Sequence, residues 1–96
     1  MIKYTIKRSG EFKKQYKRIL KQGRNITKMK YVIQKLANGE KLEEKYRDHR
    51  LSASKSYKNC RECHIEPDWL LIYRIGEKEL TLLILVATGT HSDLFE

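Results

Sequence analysis

Apolar and polar residues alternate at the start of the chain, where Ile2, Tyr4 and Ile6 are interleaved with Lys3, Thr5 and Lys7. This period of two predicts a strand with one buried face. The spacing then changes. Ser9 is suited to cap a helix, with Glu11 in the first turn placed favourably against the helix dipole. Phe12, Tyr16, Ile19 and Leu20 fall at i, i+4, i+7 and i+8, one face of an amphipathic helix, and Gly23 suits its C-terminal end. A second helix is predicted after Asn25 or Thr27, with Met29, Val32, Ile33, Leu36 and Ala37 as its apolar face and Gly39 as its stop. The two read as a helical hairpin.

Between residues 40 and 59 the periodicity fails, leaving scattered anchors at Leu42, Tyr46, Leu51 and Tyr57. A long irregular segment in a small domain is uncommon and more often functional than idle. Three strand-like runs follow, at 60–66, 69–75 and 80–88, joined by Pro67-Asp68 and by Gly76-Glu77-Lys78-Glu79. The expected architecture is α+β in one domain spanning residues 1–96: an N-terminal strand, a helical hairpin, then three antiparallel strands. The helices pack on one sheet face and leave the other free.

Charge adds a partner class to that outline. The chain carries 21 Lys and Arg against 12 Asp and Glu, a net of +9. Residues 1–61 hold 19 basic against 5 acidic residues, giving +14, whereas residues 62–96 hold 2 against 7, giving −5. Such a balance favours a polyanion, either nucleic acid or an acidic protein. Lys13, Lys14, Lys17, Arg18 and Lys21 occupy the polar face of the first helix, and in so basic a portion phosphate contact is their expected role. With 40% hydrophobic residues and one Pro, the chain is not of the disordered class. The longest apolar stretch, residues 80–87, is far short of the roughly 20 residues of a membrane span, and the start lacks the apolar core of a signal peptide. The expectation is a cytoplasmic protein with no membrane partner and reduced thiols. Cys60 and Cys63 have the spacing of a zinc or redox motif. A second ligand pair is missing, however, and a strand sends the two to opposite faces, so buried thiols are the expected reading.

The candidate chemistry lies in histidine. His49 sits in the irregular segment, His64 in the first late strand and His91 in the tail. Alternation points Cys63 and Ile65 one way and Glu62, His64 and Glu66 the other, so His64 is expected on the free face. Asp68 follows four residues later, about 13 Å along a straight strand, so a turn at Pro67 must shorten that gap if the two act together. Histidines with one carboxylate are what metal-free proton transfer uses. RNA offers the reaction: a base removes the 2′-hydroxyl proton, the oxygen attacks the adjacent phosphate, and an acid protonates the departing 5′ oxygen. Cations such as Arg50 and Arg61 stabilise the charge developing on phosphate. Trp69 either stacks on a base or fills the core.

Two runs, residues 62–73 (Glu-Cys-His-Ile-Glu-Pro-Asp-Trp-Leu-Leu-Ile-Tyr) and 88–95 (Thr-Gly-Thr-His-Ser-Asp-Leu-Phe), resemble the YafQ branch of the RelE/ParE toxin superfamily, as does Asp48-His49-Arg50-Leu51. The resemblance implies a RelE-like fold and a type II toxin that cuts mRNA in the ribosomal A site, using no metal and no cofactor. It carries functional positions onto His49, His64, Asp68, Trp69, His91 and Phe95. Asp68 or His64 is then the general base, His91 the general acid and His49 an assistant, with Trp69 and Phe95 positioning the mRNA or the site. It also implies an acidic antitoxin of the DinJ type, a ribbon-helix-helix protein through which alone operator DNA is reached. The superfamily includes gyrase inhibitors as well, so a toxin that acts by binding, without catalysis, is the alternative.

Overall fold

The computed structural model describes residues 3–51, 56–76 and 82–95. Helix α1 (Gly10–Lys21) starts where the pattern requires: the Ser9 Oγ accepts from the Phe12 amide at 2.9 Å and donates to the Val86 carbonyl at 2.7 Å. Helix α2 (Ile26–Ala37) is capped by Asn25, whose side-chain oxygen accepts from the Thr27 amide. Both helices end alike. Gly23 and Gly39 take φ of +74° and +77°, and the amides after each turn return to carbonyls of the last helical turn. That left-handed step is available at low cost only without a Cβ, which explains the two glycines that bound the hairpin.

One sheet contains β1 (Thr5–Arg8), β2 (His49–Arg50), β3 (Arg61–Glu66), β4 (Trp69–Ile75) and β5 (Leu82–Gly89), in the order β1-β5-β4-β3-β2. A short 3-10 turn (Glu44–Tyr46) precedes β2, and α3 (His91–Phe95) follows β5. The expected α+β architecture is the one observed. β1 pairs parallel with β5, and the other pairs are antiparallel. The predicted turn after Ile75 and the strand start at residues 80–81 fall largely outside the described residues, as does Ile2.

Three expectations need correction. All of β1 is exposed, with Ile6 at 42%, because it forms the sheet's edge beyond the cover of the helices. Leu20 is 49% exposed; α1 buries Phe12 and Ile19 and half-buries Tyr16. Nor is the outer sheet face free. The helix-covered core includes Cys63, Ile65, Trp69, Leu71, Tyr73, Leu83 and Leu85. Across the sheet a second buried cluster joins Leu70, Ile72 and Ala87 to Tyr57, Cys60 and Leu94. The 56–60 segment and α3 thus cover part of the outer face. A bulge makes this possible: Ile72 pairs with Ala87 but Tyr73 with Leu85, so Val86 is the extra residue and the facing of β5 reverses beyond it. Among the described residues no helix is long and apolar enough to cross a membrane.

Candidate active site

The outer face is built row by row from strand register. His49 on β2 opposes Glu62 on β3, which opposes Ile72 and, through it, Ala87. The next row runs His64, Leu70, Gly89. His49 and Glu62 are direct cross-strand neighbours, and His64 is two residues along β3 on the same side, so all three side chains converge. The Nε2 of His49 is 3.1 Å from Oε1 of Glu62, and the Nε2 of His64 is 3.7 Å from the same oxygen. The two rings are 6.4 Å apart. Glu62 is only 5% exposed, and its Oε2 is buried without a hydrogen-bond partner among the described residues.

Backbone carbonyls fix how these rings are protonated. His49 Nδ1 lies 2.7 Å from the Arg47 carbonyl and His64 Nδ1 3.3 Å from the Pro67 carbonyl. A carbonyl only accepts, so Nδ1 of each ring carries a hydrogen. Glu62 is the site residue that sequence reasoning passed over. The signal was its place two residues before His64, at a parity that sends both to one face.

His91 opens α3, with its ring 4.7 Å from that of Phe95, and Phe95 in turn meets Tyr57 edge-on at 5.6 Å. The helix is stapled by reciprocal bonds: the Thr90 amide donates to Asp93 at 3.0 Å and the Asp93 amide to Thr90 Oγ1 at 3.1 Å. The bond from the Thr90 amide holds the Asp93 carboxyl below the usual carboxylate range. Thr90-x-x-Asp93 was a readable capping signal. Arg18 of α1 reaches Asp93 at 3.8 Å, tying one member of the basic helix to the His91 helix. Lys13, Lys14, Lys17 and Lys21 are all exposed.

Other predicted residues stand elsewhere. Asp68 lies in the β3–β4 turn, where its carboxylate, 72% exposed, meets Arg24 at 3.6 Å; Arg24 also reaches Glu66 at 3.5 Å. The turn thus directs Asp68 to the junction of the two helices. Trp69 is fully buried in the helix-side core, its Nε1 donating to Thr88 Oγ1 at 2.9 Å, with Arg24 5.4 Å over the ring. Stacking on a substrate base is closed to it, because parity opposite to Leu70 turns it inward. Arg61 also turns to the helix side, where Asp48 and the Tyr73 hydroxyl each lie 3.3 Å from its Nε. Arg50 opposes Arg61 on the exposed edge strand β2.

Both cysteines are free thiols, and burial pushes both thiol pKa values up. They lie in the clusters on opposite faces of the sheet. Among the described residues no group of three or more His, Cys, Asp or Glu side chains is arranged to hold a metal ion.

Comparison with known proteins adds kinship to this geometry. The family model described as bacterial toxin of type II toxin-antitoxin system, YafQ, matches residues 4–96. The mRNA interferase toxin YafQ of Escherichia coli (strain B / BL21-DE3) is 41% identical over 96 residues, covering 99% of each chain. A chain in the crystal structure of the E. coli DinJ-YafQ toxin-antitoxin complex superposes with a TM-score of 0.85 at 38% identity, over 99% of this chain and 100% of that one. A metal-bound toxin from Helicobacter pylori superposes with a TM-score of 0.86 at 40% identity, with the same coverage.

Proposed function

The chain belongs to the YafQ family of bacterial toxins of type II toxin-antitoxin systems, and from that premise we propose that it is a ribosome-dependent endoribonuclease. It cuts mRNA in the A site, without a metal, by attack of a 2′-hydroxyl on the adjacent phosphate. The whole chain acts as one cytoplasmic domain. The observation that carries this reading is the convergence of His49 and His64 on the buried Glu62.

His64 takes the 2′-hydroxyl proton, and Glu62, with His49 beside it, stabilises the imidazolium that forms. His91, two residues beyond the Gly89 that ends the row begun by His64, returns a proton to the 5′ oxygen. The Glu62 carboxylate stands in place before substrate arrives, so little reorganisation is needed as charge moves. Asp68, held by Arg24, positions the turn whose Pro67 carbonyl meets His64 Nδ1, and Phe95 packs behind the His91 ring. Arg50 and Arg61, expected to meet phosphate, share the β2–β3 face opposite to His49 and His64, and Arg61 is engaged by Asp48, so neither is assigned to the reacting phosphate. The ribosome supplies substrate positioning, which a chain of this size lacks, so free RNA is a poor substrate.

Lys13, Lys14, Lys17, Arg18 and Lys21 grip ribosomal RNA and, in the inhibited state, an acidic antitoxin of the DinJ type, a ribbon-helix-helix protein that alone contacts operator DNA. The E. coli DinJ-YafQ complex supports such a partner. Purified protein added to translating ribosomes is expected to yield discrete 3′ ends within codons, equally with and without a chelator. Intact transcripts at saturating toxin would leave inhibition by binding as the function. Cleavage abolished by chelation would refute the metal-free route.

A further inference from the structure

His64 has a second neighbourhood that proton transfer does not use. Strand β2 covers Arg61 and Glu62 of β3, so among the described residues the β3 edge from His64 to Glu66 has no strand partner on that side. There a cavity of about 820 Å³ opens between α2, the Glu44–Tyr46 turn and β3. Its walls include Lys28, Tyr31, Lys45, Tyr46, Arg47 and His64. The size falls within the range of sites for small organic ligands.

Three features of the lining select a ligand. Lys28, Lys45 and Arg47 give it three cations, against the single carboxylate of Glu66, which Lys28 meets at 2.9 Å. Tyr31 and Tyr46 supply aromatic surface, their rings 6.2 Å apart and inclined at 37°, with Tyr31 43% exposed. The Tyr31 hydroxyl donates to Glu43 at 2.8 Å, and Lys35 also reaches Glu43 at 3.3 Å, so the ring is held in place before any ligand arrives. Cations with ordered aromatic faces are what a single-stranded nucleotide needs, phosphate on the one and base on the other. An acidic peptide matches the charge but gives the rings no comparable role.

We propose that this groove binds the nucleotide adjoining the scissile phosphate, so that Tyr31, Tyr46, Lys45 and Arg47 hold the strand beside His64 and bias which RNA sequences are cut through stacking strength. The inference rests on the endoribonuclease reading for its consequence, but the binding itself is separable. Continuity fixes the register: a strand whose reacting phosphate sits at His64 passes its neighbouring nucleotide into the cavity.

The test uses the full chain and a trinucleotide RNA carrying 2′-O-methyl groups, which cannot be cut. Titration followed by NMR is expected to shift signals of Tyr31, Tyr46, Lys45 and Arg47, and the double variant Tyr31→Ala, Arg47→Ala is expected to bind roughly tenfold more weakly. In the ribosome assay the same variant is expected to redistribute cleavage among codons. Groove shifts from a wild-type protein that cuts nothing would support the groove and refute the nuclease. Normal cleavage with no groove shifts, and an unchanged cleavage pattern in a folded variant, would overturn the groove. Loss of antitoxin affinity alone in that variant would also overturn it, assigning the cavity to peptide.

Discussion

The Nε2 of His49 stands 3.1 Å from Oε1 of Glu62, at directly opposed positions of β2 and β3. The carboxylate is buried and, among the described residues, its second oxygen has no hydrogen-bond partner, an arrangement that costs about 1–3 kcal/mol, so Glu62 weighs against folding while it serves the proposed site. Replacing it by a neutral isostere separates the two effects. Glu62→Gln is expected to lower the cleavage rate by on the order of 10²-fold, the scale of lost acid-base assistance, without lowering the melting temperature. A variant that melts early yet cuts at the wild-type rate would make Glu62 structural.

His64 and Asp68 are four residues apart in sequence but differ in what they touch, and the difference is measurable. His64→Ala is expected to lose nearly all cleavage. Asp68→Asn removes a charge paired with Arg24 at 3.6 Å on a largely exposed side chain and is expected to lose far less, because Arg24 keeps its contact with Glu66. Single-turnover rates on programmed ribosomes distinguish the two. Equal losses would return Asp68 to the role of base.

The helical hairpin, the late strands and the opposite facing of the two cysteines were legible because each follows a local period or a capping residue. What the sequence hid was non-local. β2 has two residues, and its existence depends on β3 lying beside it. The Val86 bulge, which lets α3 fold back over Leu70 and Ile72, depends on the register of β4. The histidines were identifiable singly; the carboxylate that joins two of them was not, since Glu62 read as one acidic residue among several in a −5 segment.

Trp69 offers a clean separation of core from contact. Trp69→Phe removes the Nε1 bond to Thr88, a buried pair, and is expected to cost about 1–3 kcal/mol for the orphaned partner. Since Thr88 Oγ1 also donates to the Leu70 carbonyl at 2.8 Å, the lower end applies. Denaturant unfolding reads this directly. The KM for programmed ribosomes is expected to stay within twofold; a large rise in KM at wild-type stability would mean that the indole meets the RNA after all.

The thiols should be inert in the native state. Burial raises both pKa values, Cys63 the more strongly, and the reactive species is the thiolate. Iodoacetamide at neutral pH is therefore expected to label neither residue until denaturant is added, and activity is expected to be the same with and without reductant. Rapid native labelling of Cys63 would contradict its place in the helix-side core.

Asp93 links pH to the His91 helix. Its carboxyl pKa is lowered in the folded chain, first by the Thr90 amide and further by the Thr90 hydroxyl and by Arg18. The ionised form is thus favoured by folding, so its stabilisation is complete above the unfolded carboxylate range and fades as pH falls through the folded value. At neutral pH Asp93→Ala is expected to fray α3, reducing cleavage while leaving the global melting temperature within a few degrees, because only a terminal helix of five residues depends on it. Hydrogen exchange at the α3 amides gives the local readout, and His91→Ala provides the comparison. The His91 variant is expected to abolish cleavage yet keep ribosome binding, its salt dependence and α3 protection. If Asp93→Ala loses activity while α3 protection is intact, the carboxylate acts on the RNA and not through the helix.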